Sequence, residues 1–161
     1  MPSARVEFPS VDLDADILAR MHPHLRAFYA FWDEARAGRR LPSIANVDPA
    51  LRPDLGPSLI IVDRVPDDRR FVYRYVGAEE VRMRGNDPTG QSVPEAFFGV
   101  SVDSAVGNYT LCAERCIAVL DECSASRLGG SVVQERILFL PLASDGEQVD
   151  AVLVCTAWDR G

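Results

Sequence analysis

The first regular pattern of hydrophobic and polar positions in the chain is an apolar stripe at helical spacing. It consists of Leu25, Phe28, Tyr29 and Trp32. The stripe predicts an amphipathic helix from Pro23 to Ala37, because a proline is tolerated in a first turn and Gly38 suits the end of a helix. We expect residues 14–21 to form a separate short turn or helix and residues 1–12 to form a loose arm.

The next segment, residues 41–58, contains four prolines and is predicted to be an extended connector with at most one helical turn. After it the pattern changes to short runs of β-branched and aromatic residues. Residues 59–65 and 70–76 are two such runs, and the turn residues 66–68 between them indicate a hairpin. Residues 78–84 are predicted to form one or two helical turns.

A second helical stripe follows, and Ser101 is its predicted N-cap. Its members are Val102, Ala105, Val106, Tyr109, Ala113, Cys116, Ile117 and Leu120. We therefore predict a helix over residues 101–122. Three further strands are expected at about 123–128, 131–141 and 149–158, with glycine-containing turns at 128–131 and 144–147.

This order of elements predicts an α+β domain with a five-stranded antiparallel sheet, central helices and an N-terminal flanking helix. The last strand, 149–158, is apolar on both of its alternating faces. A strand of this kind must be covered on both sides. The central helices can cover one face, and either the 23–37 helix or a partner subunit can cover the other.

Three motifs in this order resemble those of a bacterial PAS-like domain family. They are RLPSIANVDPALRPDLGPSLIIVDRV, FVYRYVGAE and GNDPTGQSV, and the tail LPLASDGEQVDAVLV follows them. The positions that match the family are Leu41, Pro42, Asp48, Pro49, Tyr73, Arg74, Gly77, Gly85, Asp87, Thr89 and Gly90. The departures are Ala78 in place of threonine, Pro88 in place of leucine, and Gly56-Pro57 in place of Leu-Pro.

The resemblance implies a stand-alone sensory or regulatory module with no shared catalytic residues, so we do not expect an enzyme. Such a module would act in signal transduction through protein–protein contacts, with or without gating by a small ligand. One alternative is a small α+β cone enzyme of the ketosteroid-isomerase type, although that fold places its long helices before consecutive strands. Another alternative is a structural scaffold that binds no ligand.

Length and charge limit the alternatives further. The 161 residues fit a single globular unit, which we divide into an arm and flanking helix (1–38) and a PAS-like domain (39–161). The net charge of −7 argues against a nucleic-acid partner and an anionic membrane surface. No apolar run is long enough to insert into a membrane, and the N-terminus lacks the pattern of a signal peptide, so we expect a cytoplasmic protein.

The candidate chemistry of the chain is limited. We expect the four cysteines to be free and mostly buried. The two histidines, His22 and His24, lie outside the predicted sheet, which argues against haem and against a hydrolytic triad. The segment GNDPTGQSV has no cysteine for a covalent flavin adduct. The pair Glu79-Glu80 is predicted to be solvated, since adjacent residues on a helix point apart, and no metal or cofactor is predicted.

PAS domains commonly bind small ligands between the sheet and the central helices, and this implies a set of lining residues. Our candidates for an unidentified ligand are Tyr75, Arg82, Tyr109, Gln134 and Glu135. Arg82 would pair with an acidic group of the ligand, and Tyr109 would supply an apolar wall with a hydroxyl. The flanking helix of PAS proteins commonly mediates dimers, so a homodimer is expected through Leu25, Phe28, Tyr29 and Trp32. The signalling partner is not identified.

Overall fold

A computed structural model describes residues 4–96, 101–126 and 132–160 of the chain. Six strands and five helices are labelled in chain order. They are β1 (Ala4–Glu7), α1 (Ala15–Arg20), α2 (Pro23–Arg36), β2 (Leu59–Arg64), β3 (Phe71–Val76), α3 (Ala78–Arg84), α4 (Val93–Ala96), α5 (Val102–Arg115), β4 (Val119–Ser126), β5 (Val132–Leu142) and β6 (Ala151–Arg160).

The flanking helix forms as its stripe predicts. Pro23 occupies the first turn of α2, and the side chain of His22 caps the helix by accepting the His24 N–H. Ala37, with φ of 49°, ends the helix in the left-handed region. The short helix α1 precedes it as a separate element, which confirms that part of the prediction.

The sheet has six strands, one more than predicted. Its order is β1-β4-β5-β6-β2-β3, and every neighbouring pair is antiparallel. The additional strand, β1, comes from the arm that we expected to be loose, and it pairs with Val119–Glu122 of β4. All four β1 side chains are exposed. Main-chain hydrogen bonds therefore attach β1 to the sheet. Its sequence alternates Ala4 and Val6 with Arg5 and Glu7, but the run is short and none of its side chains is buried.

Two other boundaries differ from the prediction. The helix expected over 101–122 ends at Arg115, because Cys116 has φ of 55° and reverses the chain. The apolar residues Ile117 and Leu120 lie beyond that end and still fit the helical spacing by coincidence. The connector contains three 3-10 turns, at Ile44–Val47, Pro49–Leu51 and Gly56–Ser58, where at most one turn was expected.

Helices cover both faces of the sheet. We call the face that packs on α5 the inner face, since Phe139 of β5 contacts Tyr109 of α5 there. The opposite, outer face is covered by α2, whose Trp32 Nε1 donates to the Pro141 carbonyl at 2.9 Å. Residues Ala151–Ala157 of β6 are all buried, so the predicted cover on both sides of this strand is confirmed.

The two predicted hairpin turns have different outcomes. Gly146, with φ of 81°, provides the positive φ that the 144–147 turn needs. The 128–131 turn lies outside the described residues. None of the helices among the described residues has the length and apolar character needed to span a bilayer.

Candidate ligand site on the inner face of the sheet

Three aromatic rings pack together between α5 and the inner face of the sheet. The ring of Tyr109 lies 5.4 Å from that of Phe71 and 5.1 Å from that of Phe139. All three side chains are buried. Burial raises the pKa of the Tyr109 hydroxyl well above its ordinary value, so this group remains a neutral hydrogen-bonding group and does not act as an acid or a base.

A buried carboxylate joins α3 to the sheet. Glu80 is only 5% exposed, and its Oε1 accepts a hydrogen bond from the Thr156 hydroxyl of β6 at 3.1 Å. The prediction that Glu79 and Glu80 form a solvated pair is therefore wrong for Glu80. The neighbouring side chains do point apart, but one of the two directions leads into the core.

An arginine one helical turn later joins α3 to two more elements. Arg84 Nη1 lies 3.4 Å from the Tyr73 hydroxyl of β3 and 3.5 Å from the Ala96 carbonyl of α4. Its guanidinium stands 5.0 Å over the Tyr73 ring. Burial opposes the charge of Arg84, but Tyr73 and Glu80 outweigh burial and raise its pKa, so the side chain stays cationic.

Two further polar pairs lie on the inner face. Trp158 Nε1 of β6 donates to Glu135 Oε1 of β5 at 3.0 Å. Asn108 of α5 donates from Nδ2 to Asp121 Oδ2 of β4 at 2.7 Å. Glu135, Asn108 and Asp121 are all buried. The inner face therefore holds several charged or amide groups among apolar residues, each with a hydrogen-bond partner.

The structure places the predicted lining residues in different regions. Tyr109 and Glu135 lie on the inner face, as described above. The Tyr75 hydroxyl donates to the Gly56 carbonyl at 3.0 Å. The Arg82 side chain is 57% exposed and pairs with Glu79, while the half-buried Gln134 lies opposite Asp159 on the outer-face register. Two of the five candidates, Tyr109 and Glu135, thus share the inner face, and each contacts different residues there.

Sequence reasoning missed Glu80, Arg84, Tyr73 and Thr156. A usable signal was present, because positions 80 and 84 are four apart and share one helix face. The face that carries Arg82 points away from the one that carries Glu80 and Arg84. A helical projection of residues 78–84, anchored on the apolar Val81 and Met83 together, would have preferred Arg84 to Arg82, because Arg82 lies on the opposite face.

The residues predicted for a dimer interface are buried within their own chain. Leu25, Phe28 and Trp32 are 0% exposed, and Tyr29 is also buried. The Tyr29 hydroxyl donates to the Val11 carbonyl at 2.9 Å. Packing of α2 on the outer face thus accounts for the whole stripe, and a dimer through it stays a prediction.

The two histidines lie at the N-terminus of α2 and outside the sheet, as predicted, and His24 contacts the turn before β2. His24 Nε2 lies 2.7 Å from Ser58 Oγ, which itself donates to the Leu55 carbonyl. With the Ser58 proton directed at that carbonyl, His24 Nε2 is the donor between them. The contact holds the N-terminus of α2 against the turn before β2.

Thiol and metal chemistry find no support in the described part of the chain. No group of three or more histidine, cysteine or acidic side chains there could hold a metal ion. Cys112 and Cys155 are fully buried, and Cys116 is half-buried. Burial raises the pKa of the Cys112 thiol well above its ordinary value, so it remains an unreactive thiol at neutral pH.

The inner face, covered by central helices and crossed by buried polar contacts, defines a small α+β domain of the sensor type. A family model described as "PAS domain" matches residues 20–156. The chain belongs to the PAS domain family. No curated protein matches it.

Three solved structures share the fold. A light-oxygen-voltage domain described with a flavin analogue is 15% identical, with a TM-score of 0.53, over 71% of this chain and 84% of that chain. An RNA-binding light-oxygen-voltage receptor is 12% identical, with a TM-score of 0.52, over 97% of this chain and 38% of that chain. A variant of the fungal photoreceptor VVD is 12% identical, with a TM-score of 0.50, over 81% of this chain and 92% of that chain.

These neighbours make flavin the first cofactor to compare with the site, although the sequence led us not to expect a covalent flavin. An adduct needs a reactive thiol on the inner face. Among the described cysteines, Cys155 lies on the outer face beside Ser58, at 3.9 Å, and Cys112 is enclosed in the core. The expectation that no covalent flavin forms stays a prediction.

The family motifs have structural roles in this chain. Asp48 Oδ1 accepts the Ala50 N–H at 2.9 Å and caps a 3-10 turn. Asp87 Oδ1 accepts both the Thr89 N–H at 3.0 Å and the Thr89 hydroxyl at 2.6 Å, and Gly90 follows with φ of 89°. These are turn-forming contacts, so the motifs account for the local fold of the chain.

Proposed function

We propose that this PAS domain is a sensory and regulatory module in which a small polar ligand on the inner face changes protein–protein contacts. The observation that carries the proposal is a pair of charged side chains, the buried Glu80 and the half-buried Arg84, that attach α3 to the sheet. Both make their described contacts to other elements, Glu80 to β6 and Arg84 to β3 and α4.

Buried charges are expensive, and apolar residues of similar volume often stabilise a core more. The contacts of Glu80 and Arg84 are therefore a poor means of simply holding α3 in place. These contacts can instead make the position of α3 depend on any other group that binds Glu80 or Arg84. A ligand that takes over a hydrogen bond of either side chain would favour another arrangement of α3 and α4.

The output is proposed to be contact with a second copy or with another signalling protein. The apolar stripe of α2 is buried in its own chain, so such a contact would use exposed surface around α2 and β1. Deleting residues 1–38 is not a clean test of this output, because it would expose the apolar outer face that Leu25, Phe28 and Trp32 cover.

Native mass spectrometry on the freshly purified full chain tests both parts of the proposal. We expect a dimer mass and a retained small molecule. We expect Arg84→Gln to lose the small molecule and Arg82→Gln to keep it, since the two variants make the same charge change on the same helix, but Arg84 contacts β3 and α4 whereas Arg82 is exposed. A bare monomer in the native protein would favour the scaffold alternative, and equal loss in both variants would place the ligand elsewhere.

The enzyme alternative is not supported by the architecture. A ketosteroid-isomerase cone would have consecutive strands after its helices, whereas α3, α4 and α5 lie between β3 and β4 in this chain. PAS domains are typically sensory, and the proposal assigns no catalytic residue.

A further inference from the structure

A groove of about 470 Å³ lies between β1 and α5, and its lining residues are distinct from those of the ligand site proposed above. Three arginines line it, Arg5, Arg70 and Arg115, together with Glu7 and Asp103. This is a local excess of one positive charge on a chain whose net charge is −7. We propose that this groove binds a ligand that carries a phosphate group, through the guanidinium groups of Arg5 and Arg70.

Arg5 can approach α5 closely because position 107 in that helix is a glycine. Its Nε donates to Asn108 Oδ1 at 2.6 Å, and its Nη2 donates to the Ser104 carbonyl at 3.1 Å. A Cβ on Gly107 would lie 2.9 Å from that Nη2. Glycine is unfavourable in a helix interior, so its presence at this position of α5 is explained by the close approach of Arg5.

Arg70 reaches the same groove from the opposite edge of the sheet, and its backbone is also unusual. It has φ of 63°, a left-handed conformation that glycine adopts far more readily than arginine. Its Nη2 donates to Thr110 Oγ1 at 2.8 Å. The Thr110 hydroxyl donates to the Val106 carbonyl, so it can only accept from Arg70.

The two guanidiniums therefore meet over one short stretch of α5. Their contacts at Gly107 and Thr110 are three residues apart, which on a helix corresponds to about 5–6 Å between side-chain attachment points. Neither Arg5 nor Arg70 has an ion pair with a described residue within 4.0 Å, whereas Arg115 pairs with Glu7 at 3.0 Å. Two guanidiniums held by neutral acceptors keep their charge available for an oxyanion with two or more negative charges.

The phosphate group could belong to a free metabolite or to a phosphorylated side chain of a partner protein, and titrations of the full chain distinguish them. The probes are inorganic phosphate and a short glycine-flanked phosphoserine peptide, added at constant ionic strength and followed by the amide NMR signals of Gly107 and Thr110. We expect saturable shifts with both probes. Tighter binding of the peptide would identify a partner protein as the source, and equal or tighter binding of phosphate would identify a metabolite.

Arg70→Gly is the decisive variant, because glycine suits φ of 63° and the fold should be kept. It should weaken phosphate binding about tenfold or more, since one of two charge-assisted contacts is lost. Arg69→Gly makes the same charge change in the same turn, where Arg69 is exposed and pairs with Asp67, and should leave binding almost unchanged. If the amide NMR shifts of the native protein do not saturate, or if both variants weaken phosphate binding equally, the groove provides only a diffuse positive charge and the proposal is overturned. This test does not depend on the inner-face ligand.

Discussion

At the scale of single residues, Gly77 shows why a family motif requires glycine. It connects β3 to α3, and its backbone passes so close to the preceding turn that a Cβ would lie 2.4 Å from the Pro57 carbonyl oxygen and 2.5 Å from that of Gly56. These neighbours are main-chain atoms and cannot rotate away. The motif position thus fixes how closely α3 approaches the turn before β2.

We expect Gly77→Ala to lower the free energy of unfolding by about 3 kcal/mol or more, because the clash forces backbone shifts. Gly38→Ala is the control. Gly38 has φ of 81°, and a Cβ at this position would have no atom within 4 Å, so only the left-handed conformation is penalised, by about 1 kcal/mol. Urea unfolding of both variants measures the difference, and equal losses would mean that the 56–57 turn can yield.

The chain's two histidines lie at the N-terminus of α2 and favour their neutral forms. Burial, and then the nearby Arg136, lowers the pKa of His22. Asp159 lies 3.4 Å from His22 but is itself paired with Arg136, which limits its effect. Burial, and then the nearby His22, lowers the pKa of His24, and Asp54 partly offsets this effect. Glu79 lines the pocket in which both histidines lie. Both folded-state pKa values therefore lie below those of the unfolded chain.

Stability should fall as the pH drops below about 6.5, where the unfolded chain takes up protons that the folded state resists. The loss is at most about 1.4 kcal/mol per pH unit for each histidine. His22→Asn keeps a side-chain acceptor at the helix N-cap and does not titrate, so its stability should depend less on pH. Urea unfolding between pH 7.5 and 5.5, above the carboxylate range, measures the two slopes. Identical slopes would contradict the role of His22.

At the scale of elements, the sequence was sufficient wherever a residue pattern reflects side-chain burial. The helix α2, the hairpin of β2 and β3, and the two-sided strand β6 were predicted on that basis. The strand β1 was not, because main-chain hydrogen bonds and polar side-chain contacts such as Arg5–Asn108 hold it, and none of its side chains is buried. The end of α5 was missed because the apolar spacing continues past Cys116, whose left-handed backbone has no marker such as glycine.

The same limit applies to the candidate site. Tyr109 packs between α5 and the sheet because it belongs to the predicted apolar stripe of α5, and its role as a ligand contact stays a prediction. Glu80 was missed because its burial depends on Thr156, which is 76 positions away in the sequence. Contacts between elements so distant in the chain are set by the sheet topology, and no local pattern records them.

The edge strand β1 should respond to a change on α5 that leaves the rest of the fold intact. Gly107→Ala improves helix propensity by about 0.5–1 kcal/mol but pushes the flexible Arg5 side chain away from Asn108. We expect unchanged or slightly higher global stability together with faster amide exchange in β1. Hydrogen exchange measured by mass spectrometry on the N-terminal peptide tests this, and β6 serves as the internal reference. Unchanged exchange in β1 would show that main-chain pairing alone holds the strand.

At the scale of the whole molecule, the arrangement of α2 raises the question of whether residues 1–38 and 39–161 are separate units. The outer face of the sheet is apolar, and α2 is the helix that covers it. Trp32 of α2 is fully buried and donates a hydrogen bond to the Pro141 carbonyl of β5. A division at residue 38 would therefore cut through the hydrophobic core.

We expect the two segments to unfold together, and the chain's two tryptophans can report on this separately. Trp32 lies in the first segment, and Trp158 lies in the second, where its Nε1 donates to Glu135. In Trp158→Phe the fluorescence reports on α2, and in Trp32→Phe it reports on β6. Within each variant, the fluorescence and circular dichroism transitions in urea should coincide, because loss of α2 exposes the outer face and removes the stability of the sheet. If the Trp32 fluorescence transition occurs at a lower urea concentration than the loss of the circular dichroism signal of the strands, α2 separates from the sheet before the sheet unfolds. The output of the sensor would then be assigned to α2.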